Sequence, residues 1–302
     1  MKKPFAGVLT PIVTPFTGDD ELDEAAMRHN VSMWVKSPLD GLVVLGSNGE
    51  APQLDDVEAD RVIAIVREGW PRSRWLVAGT GRESTKGTIA ATKRAARLGA
   101  DAALVRTPSF FKPQMTTDLF VRHYTEVADA SPIPVLLYNV TMFTGVTLAA
   151  DAIERLSAHP NIVGMKESGN DIGAIAEVVA RVPAHFTVLG GSATLLLFSL
   201  SAGCDGAIVA LASLEPELCV ELKDLVDQRQ WEKAHALQRR LMPIARSVGG
   251  VYGVPGLKAA LTLAGYRGGY PRPPLRPVPE TVVNVIRGQI DALADLKVRS
   301  YS

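Results

Sequence analysis

Eight short apolar runs, Ala6–Val13, Gly41–Leu45, Trp75–Ala78, Ala102–Val105, Pro134–Tyr138, Ile162–Lys166, Thr187–Leu189 and Gly206–Ala210, follow one another at intervals of roughly 20–35 residues. Each is apolar almost without interruption, the pattern of a parallel strand buried on both faces. The intervals match one strand plus its crossover helix. Helical patterns fill the gaps over Leu54–Ile63 and Ser84–Leu98, and Thr116-Thr117-Asp118 predicts the cap of a helix running to Ala128. Eight successive strand-helix units predict a TIM (β/α)8 barrel over residues 1–225 in preference to an open doubly wound sheet. Gln230–Ala245, Leu257–Ala264 and Glu280–Leu296 predict an appended C-terminal helical region over residues 226–302, with proline-rich Tyr270–Pro279 as an extended connector before the last helix.

The 302 residues, 47% of them hydrophobic, suffice for one large barrel. Lys plus Arg and Asp plus Glu both number 32, and that balance gives no support to a nucleic-acid or anionic-membrane partner. The two cysteines, Cys204 and Cys219, lie in apolar surroundings and read as buried, inert thiols, which fits a reducing cytoplasm. The stretch around Leu195–Leu200 is too short to span a membrane, and the basic N-terminus, Met1-Lys2-Lys3-Pro4, lacks the apolar core of a signal peptide.

Chemistry in a parallel barrel gathers at the C-terminal ends of the strands. That rule places Ser47, Asn48, Tyr138 and Lys166 at one mouth. A lysine closing a buried strand is costly as an ammonium, and an amine without its proton attacks carbonyls. A tyrosine at the end of the adjacent strand suits the proton transfers of imine chemistry. The competing reading is a lysine that snorkels its head to solvent. Gly46-Ser47-Asn48-Gly49-Glu50 reads either as a carboxylate cradle or as an ordinary polar turn. Gly79-Thr80-Gly81-Arg82-Glu83-Ser84 lacks nucleotide-loop spacing and reads as a βα turn with a serine cap; Gly190-Gly191-Ser192 suits a phosphate or a tight turn at the end of strand seven, with the turn preferred. None of the five histidines ends a predicted strand or shows metal-ligand spacing, and no Gly-x-Ser-x-Gly elbow occurs.

Three motifs together, Gly46-Ser47-Asn48-Gly49-Glu50, Tyr138-Asn139-Val140 before Thr144-Gly145, and Val163-Gly164-Met165-Lys166-Glu167-Ser168, resemble the dihydrodipicolinate synthase and N-acetylneuraminate lyase family. These are class I, pyruvate-handling aldolases on a TIM barrel. Glu83-Ser84-Thr85, Ser131-Pro132-Ile133-Pro134-Val135, His159–Lys166 and Gly265-Tyr266-Arg267-Gly268-Gly269 look closest to the 4-hydroxy-2-oxoglutarate aldolase branch. The resemblance implies that Lys166 forms an imine with pyruvate and that Tyr138 shuttles protons. It implies that Ser47 and Asn48 hold the pyruvate carboxylate, that Gly191 and the Ile208 backbone line the pocket, and that Phe143 and Ser168 complete the substrate-binding set. The protonated imine is itself the electron sink, so no metal or organic cofactor is needed. A homotetramer is the implied assembly.

Two departures qualify the likeness. The family's arginine, which grips a charged aldehyde's carboxylate, is here Phe143, and a phenyl ring cannot replace a charge-assisted contact. The family's tyrosine, which reaches into a neighbouring subunit's site, is here Phe110. The resulting expectation is a lyase that cleaves 4-hydroxy-2-oxoglutarate to pyruvate and glyoxylate. Alternatives are a dihydrodipicolinate synthase, a dehydratase or hydratase-aldolase, and a non-catalytic barrel that binds a 2-oxo acid.

Overall fold

The computed structural model describes residues 3–299. Met1 and Lys2 of the basic N-terminus and the last three residues of the C-terminal region lie outside it. Eight strands, β1 (Gly7–Pro11), β2 (Gly41–Val44), β3 (Trp75–Gly79), β4 (Ala102–Arg106), β5 (Val135–Asn139), β6 (Ile162–Glu167), β7 (Thr187–Gly190) and β8 (Gly206–Ile208), pair in parallel and in chain order into a closed barrel. The TIM barrel expected from the apolar runs is therefore present, with each run at its strand.

The helices in chain order are α1 (Glu24–Trp34), α2 (Asp56–Gly69), α3 (Thr85–Arg97), α4 (Thr117–Ala130), the single turn α5 (Thr141–Thr144), α6 (Ala150–Ser157), α7 (Ile172–Arg181), α8 (Leu196–Ser201) and α9 (Pro216–Asp227). Local chemistry sets their starts. Asp55 and Glu58 form a reciprocal capping box on α2, Ser84 caps α3 through the Gly87 N–H, and Thr116 caps α4 through the Leu119 N–H. The C-terminal region holds α10 (Trp231–Arg246), a π-helical turn over Ser247–Val251, α11 (Gly253–Leu263), α12 (Glu280–Asp291) and α13 (Ala294–Arg299). The predicted helix Glu280–Leu296 is thus two helices, and the break turns Leu293 into the core, where it is buried.

Every strand is apolar on both faces because each face has its own core. Leu9, Val43, Val77, Leu104, Leu136, Leu189 and Ile208 fill the barrel interior, with Tyr138 above them. Outward residues such as Leu42, Leu76 and Val209 pack in one cluster with Leu237 and Leu241 of α10, Leu257 of α11 and Ile286 of α12. The C-terminal helices therefore share a core with the barrel. Cys204 and Cys219 are buried and unpaired, and burial above all pushes the Cys204 thiol up to about 12.

One irregularity decides the site. Val135 pairs with Ile162, but Leu136 pairs with Gly164, so Val163 is an extra residue in β6. An insertion of one residue inverts the face taken by every later side chain. Ile162 packs outside, against the helices, whereas Lys166 pairs in register with inward-facing Tyr138. Regular alternation would put Ile162 and Lys166 on the same face.

His123 on α4 gives the fold an acid sensitivity. Its Nδ1 lies 2.9 Å from Thr85 Oγ1, and burial holds its pKa down to about 4, against the pull of Glu126 and Glu83. A depressed imidazole contributes stability that is full above the unfolded value near 6.5 and is lost as pH falls through the folded value. The loss over that window is about 3 kcal/mol. We expect the urea midpoint of the wild type to fall between pH 6.5 and pH 4, and His123→Asn to flatten most of that slope. An unchanged slope in the variant would show that other groups carry it.

Candidate active site

Lys166 Nζ and Tyr138 Oη stand 3.4 Å apart at neighbouring strand ends, and the same amine lies 4.5 Å from the tyrosine ring centroid. Ser47 Oγ, at the end of β2, is 3.3 Å from Tyr138 Oη on its other side. Lys166 and Tyr138 are each 5% exposed, so the amine does not snorkel into solvent. All three open onto a cavity of about 480 Å³ that Asn48, Phe143, Ser168, Gly191 and Ile208 also line. The structure thus brings the two predicted catalytic residues and the six predicted substrate-binding residues to one cavity, whereas Phe110 is not among its lining residues.

The loop carrying Ser47 and Asn48 is held in a strained conformation. Leu45 (φ 56°) and Glu50 (φ 55°), on either side of it, are left-handed, which for a residue other than glycine costs on the order of 1–3 kcal/mol. A β-carbon at Gly79 would overlap the Leu45 carbonyl, so glycine at the end of β3 is what lets this loop fold over the mouth. Glu50 anchors the far side. Its Oε1 lies 2.5 Å from Lys258 Nζ on α11, and its Oε2 accepts from the Arg272 N–H at 2.8 Å. Lys258 also donates to the Tyr270 carbonyl at 2.6 Å, and its amine sits 4.7 Å from the Phe16 ring centroid. Both ends of this ion pair are essentially buried, at 2% and 1% side-chain exposure. Sequence reading missed the pair because nothing local marks a contact between residues 50 and 258.

The β6 end is braced from behind. Glu167, next to Lys166 but on the opposite face, accepts from Asn139 Nδ2 at 2.7 Å and from the Gly169 N–H at 2.6 Å. Burial pushes its carboxyl above the usual range, while those bonds and one from Ser168 pull it back. A β-carbon at Gly191 would collide with Ser168, which explains the tight turn after β7 in steric terms. Ser168 lines the cavity, but its hydroxyl is turned in against Gly191, buried and without a protein partner among the described residues.

The rim differs from the floor. Met142 and Phe143 on α5 are 67% and 65% exposed, so the position where the family resemblance calls for an arginine presents an apolar surface. The other side of the rim comes from the C-terminal region through Arg246, Gly249, Gly250 and Val251, which sequence reading did not assign to the site. The available signal was the glycine pair directly after a long helix. Phe110 is 78% exposed, packs edge-on against Phe111 and does not reach the cavity of its own chain. Among the described residues, no three His, Cys, Asp or Glu side chains meet in a metal-binding group, and no helix is long and apolar enough to cross a membrane.

The sequence profile of the dihydrodipicolinate synthetase family matches residues 4–293. The chain belongs to that family. Membership makes it a lyase of the class I, pyruvate-dependent aldolase type. Among family members, a 4-hydroxy-tetrahydrodipicolinate synthase from Citrifermentans bemidjiense is 37% identical over 276 residues, covering 91% of this chain and 94% of its own. One from an Exiguobacterium species is 35% identical over 277 residues, covering 92% and 94%. Among solved structures, a monomeric dihydrodipicolinate synthase variant superposes with a TM-score of 0.91 at 29% identity, covering 96% of this chain and 97% of its own. YagE, a prophage protein of the family from E. coli K12 solved in complex with pyruvate, gives a TM-score of 0.89 at 28% identity, covering 96% and 99%.

Proposed function

We propose that Lys166 forms an imine with pyruvate and that the enzyme makes or breaks a carbon–carbon bond beside that imine. The observation that carries this reading is the placement of a single buried amine within reach of a tyrosine hydroxyl that is itself within reach of Ser47. The amine adds to the 2-oxo carbon, and the resulting carbinolamine loses its hydroxyl as water. Tyr138 is positioned to deliver the proton that this departure needs. In the cleavage direction Tyr138, having given up its proton to the departing water, takes the proton of the substrate hydroxyl; the protonated imine accepts the electron pair of the breaking bond and the aldehyde leaves, and protonation of the enamine with hydrolysis then releases pyruvate and the free lysine. Ser47 and Asn48 offer donors for the carboxylate and the substrate hydroxyl. The relative solved with pyruvate supports this choice of 2-oxo acid.

For the aldehyde, the relatives' names support condensation with aspartate semialdehyde, the reaction of a 4-hydroxy-tetrahydrodipicolinate synthase, as the first reading. The aldolase that motif detail suggests finds no such support among them. One observation still favours cleavage of 4-hydroxy-2-oxoglutarate as the second reading, namely the exposed Phe143 where a carboxylate-gripping arginine is expected. Side-by-side assays decide. The first reading predicts robust consumption of pyruvate with aspartate semialdehyde and little pyruvate release from 4-hydroxy-2-oxoglutarate. The reverse pattern would replace it with the second, and inactivity on both would remove both partners from consideration.

A further inference from the structure

The cavity carries two basic side chains, Lys166 at its floor and Arg246 at its rim, and no Asp or Glu lines it. Arg246 is the last residue of α10, exposed, and without a hydrogen-bonding or ion-pairing partner for its guanidinium among the described residues. Arg240, six positions earlier on the same helix, shows the contrast, because its guanidinium is engaged by Asp295 at 2.6 Å. The backbone beyond Arg246 leaves room for a ligand. A β-carbon added at Gly249 or at Gly250 would meet nothing within 4 Å, and the intervening turn is π-helical, a geometry common at functional sites. On the opposing rim, Met142 and Phe143 offer no charge.

From this arrangement we infer that Arg246 is the specificity-determining residue for the distal half of the substrate, receiving a second carboxylate that Phe143 cannot hold. The ligand class is a 2-oxo acid, or an adduct of pyruvate with an aldehyde, that carries one carboxylate beside the imine carbon and another at its far end. The inference rests on the imine reading above, but it does not depend on which aldehyde is used, because aspartate semialdehyde and glyoxylate both bring a carboxylate. A guanidinium pairs with a carboxylate through two parallel N–H donors, whereas an ammonium does so as a point charge.

The test is borohydride trapping at Lys166 with pyruvate, 2-oxoglutarate and 2-oxohexanoate, the last replacing the distal carboxylate by an alkyl end. The wild type is expected to be half-modified at a 2-oxoglutarate concentration on the order of ten- to a hundredfold lower than for 2-oxohexanoate. Arg246→Met should abolish that preference, Arg246→Lys should restore part of it, and pyruvate trapping should be the same in all three proteins. A wild type without the preference, or an Arg246→Met variant that keeps it, overturns the role of Arg246 and leaves the imine reading intact. If pyruvate gives no adduct in the wild type, the imine reading falls instead. Calorimetric binding of glutarate, which needs no imine, then decides the carboxylate role: weaker binding to Arg246→Met supports it and equal binding overturns it.

Discussion

Lys166→Ala is expected to lose turnover by a factor on the order of 10⁴–10⁶, as removal of a covalent nucleophile does, and to give no borohydride adduct with pyruvate. The reason is geometric. Lys166 supplies the one side-chain amine lining the cavity, so no neighbour can take over. The variant should keep its fold, because the lysine stands at the mouth above the barrel core and makes no ion pair among the described residues. Tyr138→Phe provides the contrast. Its ring still packs beside the amine, but the hydroxyl 3.4 Å away is gone. Turnover should fall about 10²–10⁴-fold, the range for one general acid–base group, while an adduct on Lys166 still forms slowly. An adduct mapped to another lysine, or full activity in Lys166→Ala, would sink the imine mechanism.

The second large effect is on stability. Lys258→Met breaks the buried pair with Glu50 and should cost about 3 kcal/mol of unfolding free energy. Removal of one partner from a buried pair leaves a charge in a poor dielectric. The expected value lies at the lower end of that range because Glu50 keeps its bond from the Arg272 N–H. Burial pushes the Lys258 amine down to about 8, with Glu50 pulling it back up, so the pair is under electrostatic tension even in the wild type. Combining Glu50→Gln with Lys258→Met should therefore cost less than the two single changes added together. Urea unfolding of the four proteins at pH 7 measures the coupling. A single-variant loss under about 1 kcal/mol would show that the pair is not a structural anchor. Because Glu50 ends the loop that carries Ser47 and Asn48, half-saturation by pyruvate should also shift upward in Lys258→Met.

Much of this architecture is legible in the order of the residues. Unbroken apolar runs such as Leu42-Val43-Val44 report burial on both faces, and Leu42 indeed packs outward while Val43 packs inward. Local chemistry sets the helix starts at Asp55, Ser84 and Thr116. The candidate site was legible in part for the same reason, since a strand-end rule collects residues 47, 48, 138 and 166 once the barrel is recognised. Lys258, Arg246 and Glu167 were not legible as site components. Their contacts join segments far apart in the chain or turn on which face of a strand is used.

The chain's sequence by itself determined that there are eight parallel strands and that a lysine and a tyrosine end two adjacent ones. Strand propensity and turn chemistry are local properties, readable over a few residues. Only the tertiary structure decided that Lys166 points into the barrel, because the extra residue Val163 shifts the β6 register against β5, and a bulge is a property of two paired strands together. Only the tertiary structure, likewise, brought Arg246 to the rim of the same cavity, since that placement depends on how α10 packs against the closed barrel.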